Sequence, residues 1–319
     1  MNDVVLDILV KLAPIFILIG TGAAVRASGM LKPDTINDLK KIIINVSLPA
    51  ILFTAFLKME LKFSYLIIIV LIFSVCILLF LTGIAGKKIF RFPGEYIPYF
   101  TTGFEFGMMG AVFFGAAFGL ENIGYIAVIA LGHEFFIWFV YVTMLNKKLT
   151  VKTGLMQTMK SFMSSPVIIA ITAGLILNVI LPEESLQNIP GTGAVTRSLD
   201  YLAGLTVPLI LIIVGYNLRI NTKILIKGLP VIMFRLFSVT ACALFIDKVV
   251  FGLFMKPDIM FTAALYTFFI LPPPFILPLF IKKENTEELA FINGITVVYS
   301  VISIAVFSLY FAYFQINNM

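Results

Sequence analysis

Apolar residues run along this chain in about ten blocks of roughly 20, separated by short stretches that hold most of the charged side chains. Each block is long enough for a helix to cross a hydrocarbon layer of about 30 Å. The pattern predicts spans over residues 8–26, 37–57, 63–86, 97–119, 123–145, 161–181, 199–218, 228–252, 259–281 and 289–315. A membrane β-barrel would instead show short alternating segments. The expected fold is therefore an all-α polytopic membrane protein.

Composition agrees. Hydrophobic side chains make up 60% and charged ones 13% of the chain, against roughly 25% charged in soluble domains. That leaves too little polar surface to cover a water-soluble globule. The formal charge of +6 does not point to nucleic acid, because the basic residues form small clusters between the spans, as cytoplasmic loops do. Odd-numbered loops hold Arg26, Lys32, Lys40 and Lys41; Lys87, Lys88 and Arg91; Lys147, Lys148, Lys152 and Lys160; Arg219, Lys223 and Lys227; Lys282 and Lys283. The opposite side holds only Lys11, Lys58, Lys62, Arg197, Lys248 and Lys256. The positive-inside rule then puts both termini outside the cell membrane. Asp3 and Asp7 ahead of the first apolar run are unlike the basic start of a secretory signal, so that run is read as a retained helix.

The basic stretch 146–160 divides the chain evenly, giving a first five-helix unit over 1–145 and a second over 161–319. With five spans each, the second unit must lie upside down relative to the first. Weak self-similarity supports this. Ser47-Leu48-Pro49 has a counterpart 159 residues on in Thr206-Val207-Pro208, and Pro14 to Gly20 matches Pro166 to Gly174 loosely.

Inverted-repeat transporters place substrate at mid-membrane between discontinuous helices. The fourth span carries Gly103, Gly107, Gly110, Gly115 and Gly119, and the ninth carries Pro272, Pro273, Pro274 and Pro278. Three consecutive prolines remove three backbone donors, so a regular helix cannot pass through them. In lipid such an opening survives only where protein or a watery cavity covers the freed carbonyls. The 159-residue spacing sets Phe113 opposite Pro272. Helices 4 and 9 are therefore expected to break and cross near the bilayer centre, whereas a plain packing kink and close glycine contacts are the structural alternatives.

Polar residues inside the spans are functional candidates because they are costly there. Glu105 sits among Phe104, Phe106 and Met108 as a candidate for proton coupling or a substrate-linked switch. His133 and Glu134 are further proton-coupling candidates; position 137 is Ile and the chain has one histidine, so an H-E-x-x-H zinc site is excluded on ligand count. Asn45 and Ser47 stand just before Pro49, and Thr206 just before Pro208, where their side chains can satisfy carbonyls freed by the prolines. Asn217 and Asn293 are intramembrane amides able to donate and accept, or to join helices. Arg235, inside the eighth span, is expected to snorkel or to pair with a carboxylate. Cys76 and Cys242 lie in separate apolar runs, which leaves no disulfide framework. No Walker A stretch is present.

Asn45 to Phe53, reading NVSLPAILF, resembles the second-helix signature of the auxin efflux carrier family. The fourth helix of that family reads roughly N-x-G-F-M-G-x-P, and Glu105 to Val112 here reads EFGMMGAV, placing Gly107, Met109 and Gly110 on matching positions. Two positions depart: Glu105 replaces the Asn, and Val112 replaces the Pro. The resemblance implies ten helices in two inverted five-helix repeats, helices 4 and 9 crossing at a central site, and secondary transport of a small organic acid by alternating access. It also implies a homodimer and, from the absence of a long central loop, a bacterial-type permease in the wider superfamily of bile-acid, arsenite and riboflavin transporters. The candidate substrate-binding residues are Asn45, Ser47, Pro49, Glu105, Gly107, Gly110, Thr206, Pro208, Pro272, Pro273, Pro274 and Asn293. No metal, cofactor or enzymatic activity is expected, because the concentrated catalytic groups of an intramembrane enzyme are missing. A sodium-coupled symporter of the bile-acid type and a transporter-like ligand sensor are the alternatives, with H+ or Na+ as coupling ion.

Overall fold

Helices account for the regular structure throughout a computed structural model that describes residues 2–149, 154–180, 192–218, 222–255, 257–282 and 284–318, and no strand occurs among the described residues. The basic residues Lys152, Arg219, Lys256 and Lys283 lie outside them. In chain order the helices are α1 (Asn2–Ala27), α2 (Pro33–Lys58), α3 (Ser64–Phe90), α4 (Ile97–Phe100), α5 (Phe106–Phe118), α6 (Leu120–Lys148), α7 (Leu155–Met163), α8 (Pro166–Ile180), α9 (Thr192–Asn217), α10 (Lys223–Met255), α11 (Ile259–Ile270) and α12 (Thr286–Asn318).

Six of these, α2, α3, α6, α9, α10 and α12, are long and apolar enough to cross a membrane, and the bent pair α7–α8 makes a seventh if taken as one span. Leu12–Ala27 of α1, together with α5 and α11, are shorter apolar helices. The chain is a multi-pass membrane protein. Large side chains such as Phe63, Val70, Phe237 and Leu309 are exposed, as lipid-facing positions require.

Local sequence explains where the helices start, widen and stop. Pro33 opens α2 at a position that needs no N–H. Inside α2, Pro49 cannot donate to the carbonyl of Asn45, and the chain widens into a π-turn over Ile43–Ser47 just before it. Helix α9 breaks similarly at Leu205, ahead of Pro208. Lys87 and Lys88 occupy the last turn of α3, facing its negative dipole end, and Arg91 closes it in a left-handed conformation with φ 52°. The sixth expected span is corrected here. Residues 155–163 form their own helix, the chain turns by 67° at Ser164 and Ser165, and α8 begins at Pro166, in the first turn, where its missing N–H costs no helix hydrogen bond.

Glycines set the closest helix contacts. Gly22 of α1 lies against the Ile212 carbonyl of α9, and Gly215 of α9 lies against the Ile19 carbonyl of α1. Gly174 of α8 packs on the backbone of α2 at Phe53 and Leu57. Side chains then cap the neighbouring helix ends. Arg26 donates to Tyr216 O (2.9 Å) and Leu218 O (2.6 Å), while Asn178 donates to Phe56 O, Leu57 O and Met59 O at 2.8–3.0 Å. Replacing Asn178 by Leu should strip three end carbonyls of their partner and destabilise the protein by about 1–3 kcal/mol, read as a lower thermal transition in detergent.

Candidate functional site

Two interruptions of the chain meet in the core. One is Thr101–Glu105, between α4 and α5; the other is Leu271–Ile276, which follows α11. Pro272, Pro273 and Pro274 are all buried, so every freed backbone group near them needs a partner inside the protein. Ser303 Oγ donates to Ile270 O (2.7 Å), Arg235 to Leu271 O (3.2 Å), and the Glu105 N–H to Pro272 O (2.8 Å). Around the first interruption, Arg235 donates to Phe100 O and Gly103 O (both 2.8 Å), and Tyr141 Oη donates to Tyr99 O (3.2 Å). Gly103 takes φ +73°, and a Cβ there would come within 2.7 Å of Pro274 Cγ, so backbone freedom and close approach both require glycine. A Cβ on Gly110 would likewise meet Leu271 Cδ1 at 2.8 Å.

Two polar side chains hold the two faces of this meeting point. The Glu105 carboxylate accepts from Met108 N–H through Oε1 (3.2 Å) and from Phe275 N–H through Oε2 (2.7 Å), bridging the start of α5 to the segment after the prolines. Arg235 serves the carbonyl side. It neither snorkels nor pairs with a carboxylate, as the sequence led us to expect; its guanidinium is fully buried among carbonyls and the rings of Phe104 and Tyr299, 5.1 and 4.9 Å away. His133 is also structural in its contacts. Its Nε2 accepts the Phe104 N–H (2.8 Å), and its Nδ1 lies 3.6 Å from Glu134 Oε1, beyond hydrogen-bond length.

Beside the crossing lies a cavity of about 330 Å³ lined by Lys40, Met108, Asn217, Phe275, Pro278, Asn293, Thr296 and Ser300, with apolar groups from α9. Its lining among the described residues includes one lysine and no carboxylate. Glu105 stands behind it, since Met108 and Phe275, whose amides it binds, form part of the wall.

The expected site residues divide into groups. Glu105, Gly110 and the three prolines meet at the crossing, Gly107 faces Leu48 of α2, and Asn293 reaches the cavity. Asn45 does not reach it: its side chain is exposed and bonds Lys41 O (2.7 Å). Ser47 and Thr206 are fully buried with hydroxyls that bond nothing in the protein, so they do not serve the proline-freed carbonyls as expected. Pro49 and Pro208 shape α2 and α9 at half-buried positions. Phe113 lies within regular helix and stacks on Phe307 at 4.7 Å, while the Glu105 N–H adjoins Pro272. The ninth segment does not resume as an α-helix after its prolines: it makes only a 3-10 turn over Leu277–Phe280 before Ile281 turns extended. Sequence reasoning missed Lys40 as a lining residue by grouping it with a basic loop. The signal was present, since Ile36, Lys40 and Ile43 share a helical face and Ile36 and Ile43 are buried.

Compared with family models and with curated proteins, the sequence matches none.

Proposed function

We propose that this protein is a secondary carrier that moves a small organic acid across the cell membrane by alternating access, driven by the substrate's own gradient or by protons. The observation that carries this reading is the cavity where the two interrupted segments meet, which offers one ammonium and two amides to a solute and has no carboxylate among its described lining residues. An anion placed there meets Lys40 for its charge and Asn293, with the second amide N–H of Asn217, for its oxygens, since Thr296 and Ser300 already donate their hydroxyls to Ile292 O and Thr296 O. The volume suits a molecule of a few carbons.

The proposed architecture is ten spans in two inverted five-helix repeats, 1–145 and 161–319, joined by the basic segment 146–160, with both termini outside and two copies forming a dimer. Reciprocal contacts support the repeat. Gly174 and Asn178 lie 152 residues beyond Gly22 and Arg26, and the groups they touch, Phe53, Leu57 and Met59, lie 159 residues before Ile212, Tyr216 and Leu218. One half therefore repeats, toward the other, the contacts it receives. Asymmetry of the crossing supports a one-sided state: the cavity lies near helix ends whose loops are basic, while Phe113–Phe307 and the rings of Phe118, Phe311 and Phe314 fill the space between α5 and α12.

A panel of mono- and dicarboxylates and neutral controls, tested for thermal stabilisation and for uptake into proteoliposomes, examines this reading. One acid should stabilise the protein by mass action, and Lys40→Met should weaken its apparent affinity about tenfold or more, the loss of one charge-assisted hydrogen bond. Stabilisation by neutral solutes alone, or an unchanged affinity in Lys40→Met, would remove the organic acid from the cavity.

A further inference from the structure

Arg235 comes from α10, outside both interrupted segments, yet it touches each of them. Its Nη1 donates to Phe100 O, and its Nη2 donates to Gly103 O and Leu271 O, so the end carbonyl of α4 and one carbonyl from each chain break converge on one cation. The rings of Phe104 and Tyr299 present their faces to the same guanidinium, which adds cation–π attraction in a dry setting. Nε has no hydrogen-bond partner. The group is thus held by carbonyl dipoles and π-faces, and its charge is what those dipoles bind.

A set of carbonyl oxygens at the ends of unwound helices is also what holds sodium in transporters with discontinuous helices. Here that place is filled by the chain itself. We infer that Arg235 is a resident cation, a positioning residue that occupies the alkali-metal place at the crossing and lets the two interrupted segments stay joined in the absence of sodium. A planar, permanently charged fork suits three fixed acceptors better than a hydrated ion that must be captured in each cycle. The inference rests on the carbonyl geometry and not on the identity of the substrate, so either can fail without the other.

The test is thermal unfolding of the purified full-length protein in sodium, lithium, potassium and choline chloride at equal ionic strength. The wild type should unfold at one temperature in all four. Arg235→Met, similar in length but uncharged, should unfold lower in choline and recover by roughly 3–5 °C in saturating sodium or lithium as a small cation enters the vacated carbonyl cluster. Arg235→Lys, which keeps a cation but loses the fork, should stay close to wild type and remain insensitive to sodium. A merely space-filling arginine would give the reverse order, with Met tolerated better than Lys and no salt specificity in either. Sodium-specific stabilisation of the wild type overturns the inference, and so does a Met variant equally unstable in every salt. If the Met variant yields no folded protein, the Lys variant decides: folded and sodium-insensitive supports the resident cation, and failure to fold overturns it.

Discussion

Glu105→Ala is expected to lose about 2–4 kcal/mol of stability, because it orphans two half-buried donors at once, the N–H groups of Met108 and Phe275. The more informative variant is Glu105→Gln. Its amide oxygen can keep one of the two N–H partners, but its amino group then faces the other donor, so a loss of about 1–3 kcal/mol is expected. A carboxylate whose role is only to carry a proton would tolerate Gln without structural cost and would lose pH dependence alone. Thermal unfolding of the two variants separates these roles, and a Gln variant as stable as the wild type would refute the capping role. Both carboxylate oxygens already accept backbone N–H groups, so a proton added to either would set one donor against another.

A second large effect is expected from a single methyl group. Gly22 and Gly20 lie two positions apart on α1; a Cβ at Gly22 would collide with the Ile212 carbonyl and crowd the Tyr216 nitrogen of α9, whereas a Cβ at Gly20 meets nothing. Backbone cannot swing aside as a side chain does, so Gly22→Ala must push α1 and α9 apart. A loss of about 1–3 kcal/mol from overpacking is expected, along with weaker capping by Arg26, which bridges the same pair. Gly20→Ala should be neutral or stabilising by up to about 1 kcal/mol, the ordinary helix preference of Ala over Gly. Equal behaviour of the two variants in a thermal melt would contradict the packing described for α1 and α9.

Much of this was legible in the chain because hydrophobic blocks and prolines carry their consequences locally. The apolar blocks marked the long helices, and Pro272 to Pro274 marked the end of α11, since a missing N–H cannot be restored from elsewhere. Glu105 was visible as an acid in an apolar run. Its partners were not, because backbone N–H groups look the same at every position. The same holds for Arg235: a search for its carboxylate had to fail, as its acceptors are carbonyls of Phe100, Gly103 and Leu271. Asn45 was misjudged because the π-turn over Ile43–Ser47 changes the facing of residues near it, which a regular 3.6-residue period does not anticipate. The neighbour of Pro272 was not legible either: Glu105, 167 positions away in the chain, reaches it through a backbone N–H that carries no signature in the sequence.

The reciprocal pairing of α1 with α9 and of α2 with α8 has a consequence for how the chain is made. Every contact in these pairs joins an early segment to a late one, so none can form while only the first half has left the ribosome. Helix α1 must wait with its Gly22 face and Arg26 unpartnered by α9, and α2 with the carbonyls of Phe56, Leu57 and Met59 unserved, until residues 174–218 follow. Assembly of these four helices is thus a late event in synthesis: α8 and α9 supply the surfaces that complete α2 and α1.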